Sequence, residues 1–188
     1  TDKNKLLTDN LSGQGAVEKG PIPPSINGYD DALFAADKFD LELASNTLDK
    51  AGWKMGADGI RVKTIQKNKI KLEFDIIVPE VKFLVDTAKQ LQQDWHSIGI
   101  NINPVILKAS DVIASAIKPR NYQMVIFGNT LNNNPDIFSF WHSSQRFDPG
   151  LNLSLFSDKA ADGLLESVRQ DTKEDTRLTT LSKIQKLI

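Results

Sequence analysis

His142 is the residue of this chain in the most suggestive chemical company. Asp136 precedes it, and Ser139, Ser143 and Ser144 surround it. A serine becomes a nucleophile when a base lies within hydrogen-bond reach and a third group orients that base. These serines lack the Gly-x-Ser-x-Gly elbow, and nothing in the sequence supplies an activated nucleophile. Metal chemistry has less support still. The chain has two histidines and no cysteine, and neither His96 nor His142 has a second ligand at metal-binding spacing. A His-Glu-x-x-His helix is absent. Gly13-Gln-Gly15 does not continue to a third glycine and follows no buried strand, so a dinucleotide fingerprint is not supported. Asn10-Leu-Ser12 and Asn152-Leu-Ser154 fit a glycosylation sequon, which is short enough to be common by chance.

The remaining polar and aromatic residues suit recognition better than turnover. A strand-like run from Tyr122 to Gly128 empties into the loop Asn129-Thr-Leu-Asn-Asn-Asn-Pro-Asp136. An aromatic segment, Phe138 to His142, follows. Loops at the carboxyl ends of strands in open α/β sheets are where ligands bind. Trp141 and Phe140 could line an apolar pocket or pack into a core. Asn132 and Asn133 could contact a ligand or satisfy turn geometry. Arg146 could pair with a carboxylate, although an exposed arginine is more often solvated.

The elements that must position these residues read as follows. The stretch from Asp2 to Leu11 is predicted helical without a convincing cap, and Gly20-Pro-Ile-Pro-Pro24 is rigid and extended. Asp40 is predicted to cap a helix carrying Leu41, Ala44, Leu48 and Ala51, stopped by Gly52. Residues 60–66 and 69–78 are predicted to form a hairpin linked by Lys67-Asn68. In the second run Ile70, Leu72, Phe74, Ile76 and Val78 alternate with mostly polar residues. Leu84, Ala88, Leu91, Trp95 and Ile98 make one helical stripe, which Gly99 closes. Ile100 to Leu107 reads as a strand that Pro104 places at an edge. Ser110 or Asp111 is predicted to cap a helix through Ile117. Met124 to Phe127 reads as a strand covered on both faces. Helices over 159–170 and 174–188 finish a strand–helix alternation that means an α/β fold.

Composition bounds the partners. Net charge is −1, which gives no reason to expect nucleic acid or an anionic membrane. At 40% hydrophobic and 25% charged the chain matches a soluble globular domain. No apolar run approaches the roughly 20 residues of a membrane helix, and Thr1-Asp-Lys-Asn-Lys is too polar for a signal peptide.

Several segments, in order, resemble the family 5 extracellular solute-binding proteins, the peptide receptors of bacterial ABC importers. Gly20-Pro-Ile-Pro-Pro24 is similar to the entry into their second lobe. Leu48-Asp49-Lys50-Ala51-Gly52-Trp53 is similar to a helix end, and Gly59-Ile60-Arg61 to the strand start after it. Leu91-Gln92-Gln93-Asp94-Trp95 with Ile98-Gly99-Ile100 resembles their helix-to-strand junction. Asn152 to Leu165 resembles the entry into a late helix, and Arg177 with Ile184-Gln185 resembles the helix after it. No single motif is specific; their order and spacing carry the resemblance.

The resemblance implies an α/β lobe of the type II periplasmic-binding-protein kind, a mixed sheet flanked by helices. It implies that residues 1–188 form one domain, the C-terminal lobe, truncated at both ends, with 1–24 as its lead-in. It further implies an N-terminal lobe in the same polypeptide, membrane permease subunits as partners, and a periplasmic or surface location with or without a lipid anchor. No cofactor, metal or catalysis is implied. The alternatives are a hydrolytic α/β enzyme and a nickel or metal-complex receptor of the same family. Ligand contacts are expected from Asn129, Thr130, Asn132, Asn133, Asp136, Trp141 and Asn152. Peptide-binding members carry an acid near Asn132 and Asn133 that pairs with the peptide ammonium. An amide there accepts hydrogen bonds but does not neutralise that charge.

Overall fold

Carboxylates meeting free backbone N–H groups decide where the first helices begin. In the computed structural model, which describes residues 1–24, 26–34, 38–129 and 136–188, Asp2 accepts from the Lys5 N–H at 3.0 Å and opens α1 (Lys3–Leu11). The cap that the sequence seemed to lack is thus Asp2 itself. Asp40 accepts from the Leu43 N–H at 2.8 Å and opens α2 (Leu41–Lys50), as predicted. Gly52 then takes φ +87°, and the Trp53 N–H turns back to the Leu48 carbonyl at 3.0 Å. Such a left-handed stop favours glycine.

The hairpin differs from its prediction in two ways. Strands β1 (Lys54–Met55), β2 (Arg61–Ile65) and β3 (Asn68–Lys71) form an antiparallel sheet in that order. Ile65 pairs with Asn68, so the turn residues are Gln66 and Lys67, at φ +48° and +70°. Positive φ at both central residues matches the twist of paired strands. The predicted long strand also breaks at Leu72. Strand β3 stays with β2, fully exposed at a sheet edge, where Lys69 and Lys71 discourage further pairing. Strand β4 (Glu73–Pro79) enters a second sheet. The alternation therefore marks one buried face only from Leu72 onward: Leu72, Ile76 and Val78 are buried, whereas Ile70 is exposed.

In the second sheet β4 lies between two parallel neighbours, in the order β5-β4-β6. Helix α3 (Lys82–His96) connects β4 to β5 (Asn101–Leu107). Its stripe of Leu84, Ala88, Leu91 and Trp95 packs on Ile76, Val78 and Ile102. Gly99, at φ +83°, turns the chain into β5, where Pro104 sits on an edge strand as predicted. Helix α4 (Ala109–Val112) continues as a wider turn over Ile113–Ile117, with no side-chain cap from Ser110 or Asp111. Strand β6 (Met124–Val125) is shorter than expected. It forms the other edge and is half-buried, so the prediction of a strand covered on both faces is corrected.

The residues gather into two compact units. The first comprises Thr1–Ala16, Phe39–Ala116 and Asn121–Phe127; the second comprises Val17–Lys38, Ile117–Arg120 and Gly128–Ile188. The second unit contains α5 (Phe138–Trp141), α6 (Lys159–Gln170) and α7 (Glu174–Gln185). Its core joins Ile22 and Ile137 to Leu165, Val168, Leu181 and Ile184. Buried Gln185 staples the early segment to α7, donating to the Gly28 carbonyl at 2.6 Å and accepting from the Asp30 N–H at 3.2 Å. Gly28 has φ +97°, and a Cβ there would stand 3.0 Å from Leu181, so both backbone and space call for glycine.

Candidate functional site

Asp158 sets the phase of α6 by accepting from the Ala160 and Ala161 N–H groups, each at 2.9 Å. With that start, Asp162, Glu166 and Arg169 fall on one face, while Ala161, Leu165 and Val168 are buried. The three polar residues face the aromatic segment at successive turns. Asp162 accepts from the Ser143 N–H at 2.8 Å and from Ser143 Oγ at 2.5 Å. Arg169 Nε donates to both oxygens of Asp136, at 3.0 and 3.1 Å, and its Nη2 adds a further bond. The same guanidinium lies 3.6 Å from the centre of the Phe138 ring. Phe138 in turn stacks on His142, with centroids 4.0 Å apart and planes 12° apart. Nε2 of His142 stands 3.4 Å from Glu166 Oε1 and 3.8 Å from Asp162 Oδ1.

Asn152 holds the other side of the segment. It has no exposed surface, and its Nδ2 lies within bonding distance of three carbonyls: Trp141 at 3.2 Å, His142 at 3.2 Å and Phe156 at 2.9 Å. Its Oδ1 accepts from Ser154 Oγ at 3.0 Å and the Phe156 N–H at 3.1 Å. Asn152 thus braces this loop through its side-chain amide. Asp136 is likewise engaged by Arg169 and by the Phe138 N–H at 3.2 Å. Trp141 is different. It is half-buried, meets Phe156 edge-on at 6.0 Å, and its indole N–H makes no hydrogen bond to the described residues. Asn129 is exposed. Thr130, Asn132 and Asn133 lie outside the described residues.

The structure does not assemble the catalytic constellation considered for Asp136 and His142. Asp136 is spent on Arg169, and Nδ1 of His142 already accepts from the Ser144 N–H at 3.1 Å. Among the described residues no group of three histidines, cysteines or carboxylates is arranged to hold a metal ion. An open concavity of about 280 Å³ lies on the β1–β3 sheet, lined by Gly56, Ala57, Asp58, Val62, Lys69 and Lys71. It contains none of the residues singled out above, and Asp58 within it is paired with Lys71 at 2.6 Å.

Electrostatics ties the clamp to acid stability. Burial alone would raise the Asp162 carboxyl, but the two Ser143 hydrogen bonds, then the charges of His142 and Arg146, outweigh it and hold the group below the usual range. Burial opposes ionisation of Asp136 too, and the Arg169 and Phe138 bonds outweigh it. Both folded values lie below the unfolded ones, so the stabilisation is present above about pH 4 and is lost as pH falls through the folded values. Asp162→Asn is therefore expected to melt earlier than the parent at about pH 6 and to converge with it below about pH 3, in thermal unfolding followed across that range.

Sequence reasoning missed the clamp on α6. Its signal was present: an Asp cap at 158 followed by Asp162, Glu166 and Arg169 at helical spacing. It also missed Arg61, whose side chain is 3% exposed and bonded to Asp49. A single arginine at a strand start carries no pattern that reveals burial.

Comparison with known proteins places these features. The family model described as bacterial extracellular solute-binding proteins, family 5 Middle, matches residues 1–149. Protein XP55 of Streptomyces lividans is 25% identical over 191 residues, covering 100% of this chain and 33% of its own. Heme-binding protein A of Haemophilus influenzae is 25% identical over 193 residues, covering 100% of this chain and 32% of its own. The chain thus spans about a third of the length of the curated relatives it matches. Among solved structures, the oligopeptide-binding protein AppA from Bacillus subtilis, in complex with a nonapeptide, superposes with a TM-score of 0.85 at 24% identity. That match covers 100% of this chain and 37% of AppA, and it shows that the type II periplasmic-binding-protein-like fold is shared.

Proposed function

This chain belongs to the bacterial extracellular solute-binding proteins of family 5, and from that premise we propose that the protein captures short peptides outside the cytoplasm for an ABC importer. In this reading the ligand sits in a cleft completed by a second lobe of the same polypeptide, and the loaded receptor docks on membrane permease subunits. The protein resides in the periplasm or at the cell surface, where a lipid anchor would serve to retain it. It is a receptor with no catalytic step.

The observation that carries the assignment to this segment is Trp141. Its ring is braced by Phe156 and its carbonyl by Asn152, while its indole N–H has no partner among the described residues. An oriented donor on an apolar platform suits an extended peptide backbone. Asn129, Thr130, Asn132 and Asn133 are proposed as further contacts, with Asp136 and Asn152 bracing the segment that carries Trp141. The asparagines favour neutral amide groups over a free ammonium, because a buried charge without a counter-ion is costly.

Two measurements test this. The full-length protein, purified natively, is expected to release a mixture of short peptides identifiable by mass spectrometry. A single non-peptide compound would keep the receptor role and overturn the peptide assignment. Trp141→Phe keeps the ring packing and removes the indole N–H. It is expected to weaken binding of those peptides by about 5- to 10-fold, the worth of one hydrogen bond, with little change in melting temperature. Unchanged affinity would remove Trp141 from the site.

A further inference from the structure

His142 is buried, with 8% of its surface exposed, and its two ring nitrogens are in opposite situations. Nδ1 lies 3.1 Å from the Ser144 nitrogen and 2.8 Å from Ser144 Oγ. A backbone N–H only donates, so Nδ1 is an acceptor here and the neutral ring carries its hydrogen on Nε2. This makes the imidazole the cap of the short 3₁₀ turn Ser143–Gln145. Nε2 is buried, makes no hydrogen bond among the described residues, and is aimed at Asp162 and Glu166 on α6.

We propose that His142, Asp162 and Glu166 form a proton-binding switch that sets the conformation of the 143–145 turn. A proton taken from solvent onto Nδ1 turns that atom from acceptor into donor. The Ser144 N–H then loses its partner and faces a second donor, while Ser144 Oγ becomes the acceptor nearest to Nδ1. At the same time the ring becomes a cation between two carboxylates. One state caps the turn; the other binds the ring to α6. The surrounding charges are divided. Asp162 and Glu166 favour the cation. Arg146, close enough to act on Asp162, opposes it, and so does Arg169 across the Phe138 ring, although Asp136 offsets Arg169.

The switch has an outlet. The Gln145 carbonyl accepts from the Asn152 N–H at 3.1 Å, and the His142 carbonyl accepts from Asn152 Nδ2 at 3.2 Å. A turn that rotates on protonation is therefore felt by the buried amide that braces Trp141. This inference does not depend on the identity of the ligand.

Nuclear magnetic resonance on the 188-residue chain tests it. The His142 imidazole and the Ser144 amide are followed across about pH 5 to 8, the range in which histidine charge changes matter. The two His142-linked signals are expected to move together with one midpoint. Glu166→Gln, on a side chain that is 57% exposed, is expected to move that midpoint to lower pH. In His142→Gln the inflection of the Ser144 amide is expected to vanish. A Ser144 amide that stays flat while the imidazole titrates would overturn the proposal. So would a midpoint that Glu166→Gln leaves in place.

Discussion

Replacing Arg61 with methionine is expected to destabilise the first unit by about 3 kcal/mol, which lowers its melting temperature by roughly 15 °C. The substitution keeps the length of the apolar stem and removes only the guanidinium. That group makes five bonds. Nε donates to the Ile98 carbonyl at 2.7 Å. Nη1 donates to Asp49 Oδ1 at 2.9 Å and the Trp53 carbonyl at 2.8 Å. Nη2 donates to Ser45 Oγ at 2.6 Å and Asp49 Oδ2 at 3.4 Å. Arg61 thus ties α2, the turn after it and the end of α3 to one strand. Deleting one partner leaves acceptors buried beside an apolar chain, which costs more than the net worth of each bond. Asp49 is partly solvated, so its share of the loss is small. The Arg61 hydrogen bond is also the main force holding the Asp49 carboxyl below its usual range, and that effect should disappear in the variant. Amide exchange in α2 and β2, with calorimetry, measures the loss. Protection equal to the parent would mean that water replaces the guanidinium without cost.

Asn152→Leu is expected to be worse, with a loss of about 4 kcal/mol or more in the second unit. Leucine is similar in size, so no cavity explains the effect. It sets methyl groups against the carbonyls of Trp141, His142 and Phe156 and against the Phe156 N–H. Each buried polar group left unpaired costs about 1–3 kcal/mol, and the loop cannot turn them all to solvent. Asn152→Asp is the informative companion. It keeps the acceptor for Phe156 and Ser154 and loses the donors to the carbonyls. Trp141 fluorescence against denaturant reports the result, and a midpoint within error of the parent would sink the claim. The same burial bears on the sequon at Asn152: its amide nitrogen has no exposed surface, so no glycan attaches there once the chain is folded.

How much of this was legible beforehand depended on whether the cause was local. Asp40, Gly52 and Gly99 were readable because caps and stops act within a few residues, and each holds its predicted place. The α3 stripe was readable because its period repeats along the helix. The run over 69–78 misled because alternation records which side chains face inward and says nothing about which sheet they join. Leu72 serves both sheets, its N–H bonding to Arg61 and its carbonyl accepting from Asn101. In the candidate site the sequence singled out Trp141 by its type and surroundings, as a pocket or core residue. Asp136 and Asn152 were visible as important polar residues; Asn152 finds its partners nearby in the chain, but the use of Asp136 depends on a partner far along it. The separation between Arg169 and Asp136 is 33 residues, and no local pattern announces it.

The Gln185 staple has a consequence for how the chain is made. Within the first unit, Glu73 of β4 reaches Asn101 of β5 across only 28 residues, with α3 between. Gly28 and Gln185 are separated by 157 residues. Loop-closure entropy grows slowly, so the longer closure costs only about 1.5 kcal/mol more, too little to decide which unit is more stable. It decides the order of events instead. During synthesis the β4–α3–β5 module can close while the rest of the chain is still being added. Ile22 and Gly28 leave the ribosome well before α7, the helix they pack and bond to. Until α7 emerges, Ile22 has no Leu181 or Ile184 to cover it, and a chaperone has a defined apolar segment to guard.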